Sequence, residues 1–261
     1  MSTGPVPLRT RRPMSLWRLE WLRLIRTPRA ISLGGAYLAF GLLGPLLASH
    51  LSDIAKHVSS GITIIVSPPT AQDGIAEFIS QSSQTGLIIV IIVAAGAMTF
   101  DSHRGVSTFL RTRCLRMRAL LIPRYTVSSA AAVTAYTIGT AAAWYETTLL
   151  LGPLPVAPML GGWLCTIVFL LFAVALVAAA ASIVRGMLAT IGLAAGILFA
   201  LPVFGVLPAV HNWLPTALLR APIDLLADGR FSDYGPALAV TAATTPLLLA
   251  AADFGLRRRD V

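Results

Sequence analysis

Residues with the right types for chemistry are few and widely separated. The chain of 261 residues contains four histidines, two cysteines and one lysine. His50, His57 and His211, with Asp53 or Asp224, have metal-ligand types. His50 and His57 lie seven residues apart, so they share a helical face only if a helix continues past the first apolar run; ordinary interfacial histidines are favoured and no metal site is assigned. Ser128 and Ser129 have no histidine in their own segment to act as a base, which argues against an intramembrane serine peptidase. His103 beside Asp101 reads as a solvated loop pair. Cys114 and Cys165 exclude a disulfide framework and a four-thiolate metal site. Lys56 follows Ala55, so the Gly-x-x-x-x-Gly-Lys-Ser/Thr loop that cradles nucleotide phosphates is absent. No catalytic residue is assigned.

The elements that hold these residues are apolar. Hydrophobic residues make up 56% of the chain and charged ones 12%, against about 25% charged in a soluble domain. Runs of about 20 uncharged residues satisfy the length needed to cross a bilayer. Six are expected: Ile31 to Ser49, about Gln84 to Phe100, about Thr126 to Tyr145, Leu160 to Ile183, Met187 to about Pro208, and Pro236 to Ala252. None of these cores contains Asp, Glu, Lys or Arg. The first is longer than a signal-peptide core and follows seven arginines, so it is read as a retained helix. The expected fold is an all-α integral membrane protein of six transmembrane helices. Gly192 and Gly196 fit the small-xxx-small pattern of helix packing, and Pro202 and Pro246 are positions for helix bends.

Nineteen arginines and one lysine set the orientation. The segment before the first span, the connection after the second, Arg185 and the tail Arg257, Arg258, Arg259 together hold seventeen basic residues and four acids. The opposite side holds three basic residues and seven acids, so the sides carry +13 and −4. Positive charge marks the cytoplasmic side, and both termini are expected there. Basic groups spread over four segments do not form the single basic face of a nucleic-acid-binding protein.

Between Pro13 and Pro28, Trp17, Trp21, Leu24 and Ile25 fall within one helical arc, opposite Glu20, Arg23 and Thr27. This pattern predicts an amphipathic helix in the cytoplasmic interface, in contact with membrane lipids. On the outer side, Thr70 and Asp73 have the spacing of a capping box, and the helix they start is expected to run into the second span. The connection Asp101 to Arg124 carries Phe109, Leu110 and Arg113 at helical spacing, as are Arg111, Leu115 and Arg118, predicting a short basic helix at the inner face. The residues alone leave open whether it contacts a soluble partner or only enforces orientation.

That connection resembles one found in the permease subunits of type-2 ATP-binding-cassette transporters. Asp101, Arg104, Gly105, Leu110, Thr112, Arg116 and Arg124 fall on positions matching the family's acid, its Arg/Glu-Gly pair, its Thr-Leu-Glu-Leu-Leu-x-Thr-Pro-x-Ser-Arg run and the Gly-Lys about eight residues further on. Val106, Arg113, Leu115 and the Pro123-Arg124 pair depart from it. The ending from Asp253 through Phe254 to Arg258, Arg259 and Asp260 is similar to the family's terminus, and the likeness covers essentially the whole chain.

The resemblance implies an elbow helix before the first span and a coupling helix in 101–124 that docks on a separate ATPase subunit. Gly105 would form the turn, Phe109 and Leu110 would pack, and Arg111, Arg113, Arg116 and Arg118 would contact the ATPase or lipid phosphates. ATP and Mg would be bound by that partner, with no cofactor in this chain. A second permease subunit, identical or similar, would complete an exporter in a bacterial plasma membrane. The domain layout expected is a segment 1–30 with the elbow helix, a transmembrane unit 31–254, the coupling connection 101–124 and a basic tail 255–261. The alternatives are a proton-coupled or passive transporter, disfavoured by the uncharged cores, and an intramembrane enzyme.

Overall fold

Thr70 and Asp73 illustrate how local sequence sets the helix boundaries. In the computed structural model, which describes residues 16–58, 69–99 and 118–258, Asp73 Oδ2 accepts hydrogen bonds from the Thr70 backbone N–H and hydroxyl, both at 2.7 Å. Helix α3 (Ala71–Gln81) starts there and continues without a break through a π turn (Ser82–Gly86) into α4 (Leu87–Met98). Before it come α1 (Leu16–Arg26) and α2 (Pro28–Val58). After it come α5 (Arg118–Leu150), α6 (Val156–Ile183) and α7 (Met187–Phe204). Short turns follow: α8 (Pro208–His211), a 3-10 turn (Pro215–Leu219), α9 (Ala221–Leu226) and a second 3-10 turn (Phe231–Tyr234). The last helix is α10 (Gly235–Arg258). No strand occurs among the described residues.

Helix α6 is the axis of the bundle, with 78% of its apolar stretch buried. Its Ala173, Ala175, Ala178 and Ala180 are nearly inaccessible, and these small side chains let α10 and the other helices lie close against it. A second packing centre joins α2, α3 and α5 through rings. Tyr136 meets Tyr37 edge-on at 6.0 Å and stacks on Phe78 at 5.9 Å between centroids. Helices α2 and α5 approach so closely there that a Cβ on Gly139 would lie 2.6 Å from the Tyr37 carbonyl oxygen.

The expectation of six spans is corrected. Five helices among the described residues are long and apolar enough to cross a membrane: Pro28–His50, Ala71–Met98, Val156–Ile183, Met187–Phe204 and Phe231–Arg258. The third expected span, 126–145, lies in α5, which does not qualify. Its length suffices, but Thr126, Ser128, Ser129, Thr134, Thr137, Thr140, Tyr136 and Tyr145 dilute its apolar content. Hydroxyls carry no charge, so an uncharged run can still be too polar to qualify. Several bond within the helix, as Thr134 Oγ1 does to the Ala130 carbonyl and Thr137 Oγ1 to that of Val133, both at 2.7 Å. With five qualifying helices, the even count that placed both termini on one side is lost. Residues 1–15 and 259–261 lie outside the described residues.

The helix begun at the Thr70–Asp73 cap runs into the second span as expected, so the membrane helix extends past the apolar core on its N-terminal side. Because it starts at Ala71 rather than near Gln84, it includes Asp73 and Glu77. Likewise the last one extends to Arg258 and includes Asp253. Pro202 and Pro246 lie inside α7 and α10. Gly192 and Gly196 face open space, with nothing among the described residues within 4 Å of where a Cβ would stand, so they pack against none of the described helices.

Candidate functional site

One end of the bundle gathers the N-terminus of α2, the C-terminus of α4 and the first turns of α5. Helix α1 lies across it. The α1 stripe Trp17, Trp21 and Ile25 is exposed at 51%, 47% and 58%, and Leu24 is half-buried, whereas Glu20 is buried at 7%. A soluble amphipathic helix does the reverse, so α1 turns its acid toward the protein and its apolar side chains away from it.

Glu20 is held there by Arg124. The Arg124 Nε donates to Glu20 Oε1 at 2.9 Å, with the two side chains 4% and 9% exposed. The pair links α1 to the second turn of α5. Close by, the Arg29 guanidinium at the start of α2 rests on the backbone of α4, 3.1 Å from where a Cβ on Gly96 would be. Helix α4 then ends at Thr99, whose backbone N–H and hydroxyl both donate to the Ala95 carbonyl, at 2.9 and 2.8 Å. The α1–α2 segment therefore touches both helices that the basic connection joins: α4, from which it leaves, and α5, on which it ends.

Of the expected coupling residues, Asp101, Arg104, Gly105, Phe109, Leu110, Arg111, Arg113 and Arg116 lie outside the described residues. Arg118 opens α5, and Arg124 is the member whose side-chain contacts are defined. The sequence reading assigned Glu20 only to the polar side of its helix. The available signal was its being the lone acid among the arginines before the first span.

Two clefts open on the sides of the bundle toward the other end. One, of about 590 Å³, lies between the α3–π segment and the end of α7. Arg220, His211, Ser80, Ser83, Gln84 and Thr216 give it a basic and hydrogen-bonding lining. The other, of about 640 Å³, lies between α2 and α3 and is almost wholly apolar. The π turn stands between them. A Cβ on Gly86 would sit 2.9 Å from the Tyr37 ring, so this close contact is available only to glycine. Such a turn adds a residue to the helix and shifts the face that follows, a feature common at functional sites. Here Glu77 and Gln81 line the α2 side, whereas Ser83 and Gln84 line the α7 side.

His50 and His211 fall in different clefts, so they do not form a shared metal centre. Among the described residues no three His, Cys, Asp or Glu side chains gather at a metal-binding distance. Cys165 is buried in α6, and burial suits it to packing rather than reactivity. At the far end, Tyr234 donates to Asp224 Oδ2 at 2.8 Å, and Gln72 Nε2 donates to the Leu226 carbonyl at 2.6 Å. These bonds fix the segment 215–234 over the ends of α3 and α6.

No family model, no curated protein and no solved structure matches this chain. The helices themselves show an all-helical, multi-span membrane protein, and a packed bundle with two lateral clefts is consistent with a transporter-like fold.

Proposed function

We propose that the chain is the membrane permease of an ATP-driven exporter, working with a separate ATP-binding-cassette ATPase and a second permease in a bacterial plasma membrane. The observation that carries this reading is the buried Glu20–Arg124 pair. A force applied to the connection 101–117 by a docked ATPase would reach α5 through Arg118 to Arg124 and α4 through Thr99. Helix α1, bonded to α5 and anchored by its outward tryptophans in the membrane surface, would give those helices a fulcrum. The sequence supports the same reading through the Arg104-Gly105 pair, the apolar Phe109 and Leu110, and the arginines that follow, which would form the docking element. Without a nucleotide loop of its own, the chain would be no ATPase; ATP and Mg would belong to the partner.

A place for the second permease is suggested by α7. Only 17% of its apolar stretch is buried, and it exposes Leu188 and Val203 along with the open Gly192 and Gly196. Small residues on an exposed membrane helix allow another helix to approach closely.

A second reading, a proton-coupled carrier, gains support from Glu77 and Asp253, which lie in helices apolar enough to cross a membrane. Asp253 is buried and paired with Arg257 at 2.9 Å, as a structural carboxylate would be. The deciding experiment is the variant Phe109→Asp/Leu110→Asp, measured as stimulation of a co-reconstituted ATPase. The exporter reading expects stimulation by the unaltered chain and its loss in the variant. Equal stimulation by both would remove the coupling assignment.

A further inference from the structure

The groove between α2 and α3 combines a large apolar surface with a carboxylate, Glu77, that has no cationic partner among the described residues. Phe40, Leu43 and Leu47 of α2 form its wall, and the polar atoms lining it come from His50, Glu77 and Gln81. Its floor is closed by direct helix contact, since a Cβ on Gly44 would lie 2.9 Å from the Phe78 backbone nitrogen. The His50 Nδ1 is already engaged on its own helix, 3.0 Å from the Leu46 carbonyl and from Ser49 Oγ. Glu77 Oε1 accepts one hydrogen bond, from Gln81 Nε2 at 3.0 Å. Among the described residues no arginine or lysine forms an ion pair with Glu77.

A carboxylate on a membrane helix is costly unless a cation or several donors face it. Gln81 supplies one donor. A volume of about 640 Å³ falls in the range of small-molecule sites, roughly 300–1,000 Å³. A neutral hydrocarbon would cover the leucines but leave the carboxylate unmatched. The exposed helix α7 of a second copy would do the same, because Met187–Phe204 contains no Arg or Lys. The occupant that satisfies both halves of the groove has an apolar body and a protonated amine.

We infer that the α2–α3 groove binds cationic amphiphiles, with the ammonium group on Glu77 and the apolar body along Phe40, Leu43 and Leu47. As a statement about cargo this rests on the exporter reading; as a statement about binding it does not. Gln81 acts as a positioning residue, holding one carboxylate oxygen so that the other faces the groove.

The test uses the full chain in maltoside detergent, immobilised by a tag, with tritiated dodecylammonium as probe and uncharged dodecanamide as competitor. Saturable binding is expected, with dodecanamide at least tenfold weaker. Glu77→Gln should weaken dodecylammonium roughly ten- to a hundredfold, the range for a lost charged hydrogen bond, and leave dodecanamide unchanged. Glu77→Asp should recover part of the loss, and Leu47→Trp, which fills the groove, should weaken both probes. Arg220→Gln, in the other cleft, should change neither. Absence of saturable binding, equal affinity for the two probes, or an unchanged Glu77→Gln variant would each overturn the inference. Glu77-dependent binding without ATP-dependent movement of the probe would retain the groove assignment and reject the exporter.

Discussion

Removing the Glu20 carboxylate tests the clamp at the basic end. In Glu20→Ala, Arg124 remains buried opposite a small apolar side chain. Breaking a buried ion pair by deleting one partner costs about 3–5 kcal/mol. Arg124 makes a further interaction beyond Glu20, so its charge keeps some compensation, and a loss of about 2–3 kcal/mol is expected by discounting that range. At 2–4 °C per kcal/mol for a large domain, the unfolding midpoint should fall by roughly 4–12 °C. The buried Cys165 thiol supplies the assay. In a Cys114→Ser background, a maleimide dye reacts only when α6 opens. The companion variants are Glu20→Met, Arg124→Met and Glu20→Met/Arg124→Met, which close a cycle. Since an apolar replacement of a whole buried pair is often neutral, the double variant should recover most of the loss. A double-mutant cycle in which the single effects add to within about 0.5 kcal/mol would mean the two residues are energetically independent, and the clamp would be refuted.

Three further outcomes follow from the packing. Gly139→Leu should lower the same midpoint, by about 1–3 kcal/mol of overpacking, because the Tyr37 carbonyl occupies the space its side chain needs; an unchanged midpoint would contradict the close α2–α5 contact. Tyr234→Phe removes the hydroxyl bonded to Asp224 and should cost about 1 kcal/mol, read as faster amide exchange in 221–234 than in α6. Burial raises the Glu146 carboxyl above its usual value, and its Oε2 has no hydrogen-bond partner among the described residues. The folded state thus disfavours the carboxylate, so its contribution to stability is lost as pH rises through the titration and regained below it. Glu146→Gln should leave the neutral-pH midpoint unchanged or higher and flatten its acid-side slope; a lower midpoint would show that the charge is stabilising.

Local features were the ones most readable from the chain. Thr70 and Asp73 mark the start of α3 because a cap needs only neighbours in sequence, and the Trp17-Trp21-Ile25 stripe follows from helical period alone. Three features escaped that reading for separate reasons. Glu20 and Arg124 are 104 positions apart, and nothing in either segment specifies the other. Glu77 fell outside the second apolar run because the polar turns 72–84 interrupt the hydrophobic pattern, although the helix itself does not stop. Helix α5 carries no charge between 126 and 145 and so resembles a membrane span in sequence, whereas its hydroxyls, several of them bonded to its own backbone, set it apart from the five apolar helices. For the Glu20–Arg124 pair the missing information was tertiary; for α5 and Glu77 it was local polarity that a search for uncharged runs does not register.

The most direct test of the account is the energy source. The chain is reconstituted in proteoliposomes with the ATP-binding-cassette ATPase that copurifies with it, and movement of a cationic amphiphile is followed with either ATP or a proton gradient supplied. The account predicts movement that requires ATP, persists when the gradient is collapsed, and fails in Phe109→Asp/Leu110→Asp. If no such ATPase copurifies and movement follows the proton gradient, the exporter assignment is wrong.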